Sequence, residues 1–391
     1  MNLTRNIFSA LTLTLALATG LATPLRAETL RVGEIHPITG PAAFFGVPMT
    51  NAVHLAAKEI NSAGGVKVGD VTYELEIVTE DDQSNPSIGV GALKKLQNSG
   101  IHFIIGPLNS PVASALYPII GRDQGLTQII DGATSPGIVN GTNVFRTAAT
   151  LPLTYEPELL KLLTAKKYDN IAIITDRTHS GWMGEQPALV EALKGVGTEV
   201  LAEEYMQYAD TDFSAQITKI KSLGVKALVM RAYPNESAIM TKQARQLGFD
   251  GDIIWCSTPP PATIKKNISN ELMEGVLLAA TYMTQDYVRE GSESAQKMYD
   301  AYKAAYGAEP GELSVMSYDS VYVLKAALEK AGSIENAAVN AALQELTVDD
   351  VQLVGAYTGQ DGGRLFNSEG DPMIAGLSQV WEGLGWSFLN K

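Results

Sequence analysis

One cysteine, Cys256, is all that a chain of 391 residues contains. No intrachain disulfide is possible, so the fold must rest on its apolar cores. Histidine is almost as scarce. His36, His54, His102 and His179 are scattered, with no HExxH helix and no Cys/His cluster, so no motif supports a metal site. Positive charge is also short: 29 Lys and Arg stand against 43 Asp and Glu, a net charge of −14. That balance disfavours nucleic acid and anionic membrane surfaces as partners.

Catalytic signatures are missing too. There is no P-loop and no G-x-S-x-G elbow. "GVGALK" (89–94) has two glycines of a dinucleotide loop, but Lys94 stands where the third belongs and the segment reads as helix. The paired acids Asp81-Asp82 and Asp349-Asp350 read as solvated turns. Cys256 closes an apolar strand and reads as a small core residue rather than a nucleophile. No enzyme activity, cofactor or metal is expected.

Only one stretch is long and apolar enough to suggest a membrane role. Arg5 precedes an apolar run over Ile7–Ala22, and "TPLRA" leads to Ala27. This pattern predicts a secretory signal over residues 1–27, cleaved after Ala27, and a periplasmic protein. Cleavage removes Arg5 and Arg26, leaving 27 basic and 43 acidic residues and a net charge of −16. No cysteine near the site could carry a lipid anchor.

What is present is an alternation of strand-like and helix-like segments. "LRVGEIHPI", "YELEIVTED", "IHFIIGPL" and "LTQIIDG" are separated by amphipathic stretches at 51–65, 87–100 and from Ser110. The pattern restarts with "NIAIITD", "ALVMRA" and "DIIWCS". Apolar runs of this kind fit parallel strands covered on both faces. Two such blocks predict an α/β protein with two doubly wound lobes. Residues 292–331 and 335–346 read as helices and the tail as turns and hairpin strands, all returning to the two lobes.

In open α/β sheets, ligands bind beyond the carboxyl ends of the strands. Six small-polar turns sit there: "HPITGPAAFFG", "GPLNS", "DGATS", "DRTHSGWMG", "RAYPNE" and "CSTPPP". Ser110 followed by Pro111 is a helix start, whose unpaired N–H groups suit a carboxylate or phosphate. The other turns offer hydroxyls and aromatic rings, among them Phe44, Phe45, Trp182 and Tyr233. No nucleophile–base pair stands out, so a binder is favoured over an enzyme.

From about Leu30 to Trp386 the order and spacing of "VGEIHPITGPAAFFG", "AAKEINSAGGV", "EDDQSNP", "FIIGPLNSPVASA", "IIDGATSP", "FRTAAT", "IAIITD" and "DFSAQITKIKSLGVKAL" resemble the type I periplasmic solute-binding proteins of ABC importers, in the branched-chain amino-acid-binding group. The resemblance implies a Venus-flytrap architecture of two lobes joined by a three-stranded hinge. Crossings would fall near Ala149, Met283 and Tyr357. The N-terminal lobe would comprise 28–149 plus 284–356, and the C-terminal lobe 150–283 plus 357–391. It implies a monomer that traps a small carboxylate-bearing solute in the cleft and delivers it to an inner-membrane ABC permease. A sensing subunit that presents the solute to a membrane receptor shares this fold; such a subunit would be expected to carry a fused membrane segment, and none follows Trp386.

By the same resemblance Ser110, Gly132 and Thr134 hold the ligand carboxylate. Asn109, Ser180 and Thr258 complete the polar set, and Phe45, Trp182 and Tyr233 form walls. Two departures stand out. The disulfide expected between the positions of Ser84 and Asn109 is absent. The acidic residue that takes a ligand ammonium should follow "DIIWCS", where Thr258 or a neighbouring proline stands and no acid occurs from Ile253 to Lys266. Glu34, Asp131 or Glu236 could supply that charge instead, and Arg231 could pair with a second acidic group. The expected solute is an amino acid or an apolar or aromatic carboxylate, the latter slightly ahead.

Overall fold

The computed structural model describes residues 27–257, 264, 267–282, 284–311 and 313–389. Short apolar segments with β-branched residues form the strands, and two sheets result. The first contains β1 (Glu28–His36), β2 (Val66–Val68), β3 (Val71–Asp81), β4 (Phe103–Ile105), β5 (Thr127–Ile130) and β6 (Val144–Arg146), in the order β2-β3-β1-β4-β5-β6. All pairings are parallel except β2 with β3. The intervening helices are α1 (Ala43–Ser62), α2 (Pro86–Asn98) and α3 (Ser110–Ile120).

The second sheet contains β7 (Asn170–Asp176), β8 (Glu199–Met206), β9 (Ala227–Arg231), β10 (Asp252–Trp255), β11 (Leu277–Thr281), β12 (Gly376–Glu382) and β13 (Gly385–Phe388). Its order is β13-β12-β11-β10-β9-β7-β8, with β12 and β13 antiparallel. Helices α4 (Glu156–Lys166), α5 (Ser180–Gly195), α6 (Ser214–Ser222) and α7 (Pro234–Gln246) belong to this half. Central strands such as β4, β5 and β9 are buried along their whole length. Apolar clusters lie on both faces of each sheet, which is why these strands read as continuous apolar runs. The architecture is thus two doubly wound, mostly parallel sheets, as the alternation predicts.

Strand order reverses between β1 and β4 in the first sheet and between β7 and β9 in the second. These are the points at which doubly wound sheets open a crevice. The turns after β1, β4, β5, β7, β9 and β10 are therefore the ones the topology directs at a ligand.

The helices Glu293–Tyr306 and Ser314–Ala331 return to the first sheet. Met298, Tyr302, Val321 and Leu324 pack in one core with Val32, Ala52, Leu55 and Phe103. The tail packs against both halves in turn. Leu365 and Phe366 also belong to this first core, with Phe366 against Phe145 at 5.2 Å between centroids. Only from Gly376 does the chain join the second sheet, beside β11. Between the halves, Ala148, Ala149, Met316 and Ile374 form a small apolar cluster. There the Tyr357 hydroxyl donates to the Thr147 carbonyl at 2.9 Å, and Thr154 Oγ1 donates to the Ile374 carbonyl at 3.1 Å. Met283 and residues 1–26 lie outside the described residues.

Two local expectations need correction. The turn "HPITGPAAFFG" is already helical from Ala43, so Phe44 and Phe45 ride on the first turn of α1 rather than on a loop. Asp82 is not solvated: it is fully buried, and its Oδ1 accepts from Ser84 N–H at 2.7 Å. No helix among the described residues is long and apolar enough to cross a membrane.

Candidate functional site

The turns at the two reversal points enclose a cavity of about 510 Å³. From the first half come Asn109, Ser110, Gly132, Thr134 and Phe45. From the second come Ser180, Trp182 and Tyr233. These are eight of the nine site residues expected from the sequence, and the cavity brings them together. Thr258 lies outside the described residues. The structure adds His179, Tyr208, Tyr155, Leu151 and Ser257, which sequence reasoning did not select. His179 sat in a quoted turn but read as one of four scattered histidines. Leu151 and Tyr155 belong to a π-helical turn just past Thr150 that carries no recognisable sequence signal.

The first-half wall is built around the Ser110 hydroxyl. Its Oγ accepts from Thr134 N–H and Ser135 N–H, both at 3.2 Å. A hydroxyl has two acceptor lone pairs and one proton. With both lone pairs taken, the proton is left to donate elsewhere, and Ser110 lines the cavity. Gly132 makes the turn possible: a Cβ there would stand 2.7 Å from Leu108 Cα. Arg146, fully buried, clamps the same turn. Nη1 donates to the Ala133 carbonyl at 2.9 Å and Nη2 to the Ser135 carbonyl at 2.8 Å, while Nε faces Asp371 Oδ1 at 2.9 Å. Ser84 and Asn109, where a disulfide was expected from the resemblance, both line the cavity.

The second-half wall is aromatic. Tyr233 is its hub, with ring centroids 5.6 Å from Trp182, 5.8 Å from His179 and 5.7 Å from Tyr208. Phe45 reaches across from α1 to within 6.3 Å of Tyr233. The Tyr208 hydroxyl donates to the Pro41 carbonyl at 3.5 Å, so the two halves touch across the cleft mouth.

No Asp, Glu, Lys or Arg lines the cavity among the described residues. The three acids considered for a ligand ammonium are placed elsewhere. Glu34 and Asp131 flank His36, whose Nδ1 meets Glu34 Oε1 at 2.7 Å and whose Nε2 meets Asp131 Oδ1 at 2.9 Å, all three fully buried. Burial alone would push His36 down, but the charge and hydrogen bond of Asp131, then those of Glu34, raise it to about 10. His36 is therefore an imidazolium between two carboxylates, beneath the Gly132 turn. Burial likewise opposes Glu34 ionisation, but His36 and Thr79 hold its carboxyl below the usual range. Glu236 accepts from Ala209 N–H at 3.1 Å and does not line the cavity.

Arg231 is not free for a second acidic group either. It is 2% exposed and donates to Gln186 Oε1 at 2.7 Å and to Glu156 Oε1 at 2.5 Å. Cys256 does reach the cavity, but burial pushes its thiol up to about 12, which leaves it an inert neutral group. Among the described residues, no group of three or more His, Cys, Asp or Glu could hold a metal ion.

A family model described as periplasmic binding protein matches residues 29–367. A Leu/Ile/Val-binding protein of Rhizobium johnstonii is 30% identical over 341 residues, covering 85% of this chain and 89% of that one. Among solved structures, a leucine binding protein from Thermotoga maritima has a TM-score of 0.75 at 22% identity, covering 92% of this chain and 97% of that one. A solute-binding protein from R. palustris, solved with benzoate, has a TM-score of 0.73 at 18% identity, covering 92% and 95%. With doubly wound halves closing on a cavity and a family match over most of its length, the chain belongs to the periplasmic binding proteins, among the substrate-binding proteins of branched-chain amino-acid ABC transporters.

Proposed function

We propose that this protein captures a small carboxylate with an aromatic or apolar body and delivers it to an inner-membrane ABC permease. The observation that carries the reading is the cavity wall: aromatic rings, a poised Ser110 hydroxyl, and no carboxylate among its described residues. A carboxylate ligand accepts the Ser110 proton in a charge-assisted hydrogen bond, while Phe45, Trp182 and Tyr233 cover its body. An ammonium buried in the same wall would find no counter-charge among the described lining residues, and an unpaired buried charge is costly. The R. palustris structure solved with benzoate supports the same reading.

The names of the curated relatives favour a second reading, a branched-chain amino acid. Calorimetry with benzoate, 4-methylpentanoate and leucine separates the two. The acids are expected to bind and leucine, which differs from 4-methylpentanoate by its ammonium, to bind more weakly. A clear preference for leucine over its deaminated analogue overturns the proposal. Ser110→Ala should weaken binding of the acid by roughly 1.5–3 kcal/mol, the range for a hydrogen bond to a charged group. Unchanged affinity in that variant would mean that the turn only shapes the wall.

Export fits the same picture. Residues 1–27 act as a cleaved signal, and β1 opens at Glu28, the first residue expected after cleavage. The lobes are 28–149 with 284 to about 372, and 150–283 with the remainder. The packing of Phe366 and Asp371 with the first half supports a third crossing around Ile374 rather than at Tyr357. The protein acts as a monomer that turns over no substrate.

A further inference from the structure

Among the described lining residues, His179 is the ring whose tautomer the structure fixes. Its Nδ1 accepts from Trp182 N–H at 3.1 Å, as the N-cap of α5. An imidazole nitrogen that accepts carries no hydrogen, so the neutral ring bears its proton on Nε2. The ring is held on three sides. It stacks on Trp182 with centroids 4.0 Å apart and planes 27° apart, it stands edge-on to Tyr233 at 5.8 Å, and its Nδ1 is tied to the α5 backbone. Burial, with Arg231 nearby, lowers its pKa to about 4, so it stays neutral at ordinary pH.

Nε2–H is thus a fixed neutral donor in a wall of aromatic carbon. Among the described residues no hydrogen bond uses it, and no carboxylate lines the cavity to accept it. The neighbouring Thr178 hydroxyl is spent on Asp176 Oδ1 at 2.6 Å. Ser110 stands on α3 of the first half and His179 after β7 of the second, so these two donors belong to opposite walls of the cavity. The Ser110 donor suits the carboxylate. The His179 donor needs a second acceptor.

We propose that His179 determines specificity, its Nε2–H selecting aromatic carboxylates that carry a neutral oxygen on the ring, such as a hydroxybenzoate, over the bare ring acid. The inference rests on the carboxylate reading above and names the ligand class within it. Its physical basis is asymmetry: a ligand without the oxygen leaves a desolvated N–H unpaired, and sites built around a hydrogen bond reject the analogue that lacks it.

Calorimetry with benzoate, 3-hydroxybenzoate, 4-hydroxybenzoate and leucine tests this on the wild type, His179→Ser and His179→Asn. Both replacements are good N-caps and keep Trp182 N–H paired. Unfolding midpoints without ligand confirm that each variant is folded. The wild type should prefer at least one hydroxybenzoate over benzoate by roughly three- to tenfold, the worth of one neutral hydrogen bond. Both variants should lose that preference, their affinity for the hydroxybenzoate falling roughly three- to tenfold further than their affinity for benzoate. No preference in the wild type, or an equal loss for every acid in the variants, overturns the role of His179 and leaves the carboxylate reading standing. Binding of leucine with none of the acids overturns both.

Discussion

Arg146→Ala should unfold at markedly lower denaturant, with about 3–5 kcal/mol of stability lost, the cost of removing one partner from a buried ion pair. Asp371 would keep its charge with no cation beside it, and the Ala133 and Ser135 carbonyls would lose their donors. The same turn presents Thr134 and Ser135 N–H to Ser110, so ligand affinity should fall along with stability. Urea unfolding followed by fluorescence, and calorimetry on whatever fraction stays folded, read the two effects. Arg146→Lys retains the charge but not the planar fork that spans two carbonyls, and it should recover only part of the loss. A variant as stable as the wild type would show that the turn holds its shape without the clamp.

Raising the pH above neutrality should weaken the fold through His36. Its folded pKa is raised to about 10 from 6.5. A raised basic group contributes its stability in full below the unfolded pKa and loses it as pH climbs toward the folded one. Between pH 6.5 and 10 the loss should approach about 1.4 kcal/mol per pH unit for this one proton. Glu34 acts in the opposite direction: its lowered pKa contributes above about 4.5 and is lost as acid is added. Urea midpoints at pH 6, 8 and 9.5 measure the slope. His36→Gln should be less stable at pH 6, because Glu34 and Asp131 then face each other without a cation, and its slope should be flatter. Equal slopes in the two proteins would assign the alkaline loss to other groups.

The fold was legible where one strand's own residues carry the signal. β7, β9 and β10 are apolar because helices cover both faces, so they stand out against any background. β8 was missed: it is an outer strand of its sheet and alternates buried with exposed residues, including Glu203 and Glu204. β6 is too short at three residues to show a period. The positions of the site turns were also legible, because they follow from where parallel strands end. The state of their charges was not. Glu34 and Arg231 look available in the sequence, yet their partners are set by chain segments far away: His36 joins Glu34 to Asp131 across 95 residues, and Arg231 meets Glu156 across 75. The role of His179 depends on which nitrogen its backbone neighbour claims, and only the α5 cap shows that.

The absence of a cation among the described lining residues also shapes how a solute arrives. The chain carries an excess of acids, with a net charge of −14 before any cleavage. A carboxylate approaching it meets a repulsive field at long range, and no lysine or arginine among the described lining residues focuses it inward. Capture then relies on oriented dipoles that act only at contact. Dissolved salt shortens the reach of the repulsion but leaves a desolvated hydrogen bond nearly untouched. For an anionic solute, ionic strength therefore acts on this protein as an accelerator of association, with little effect on residence time.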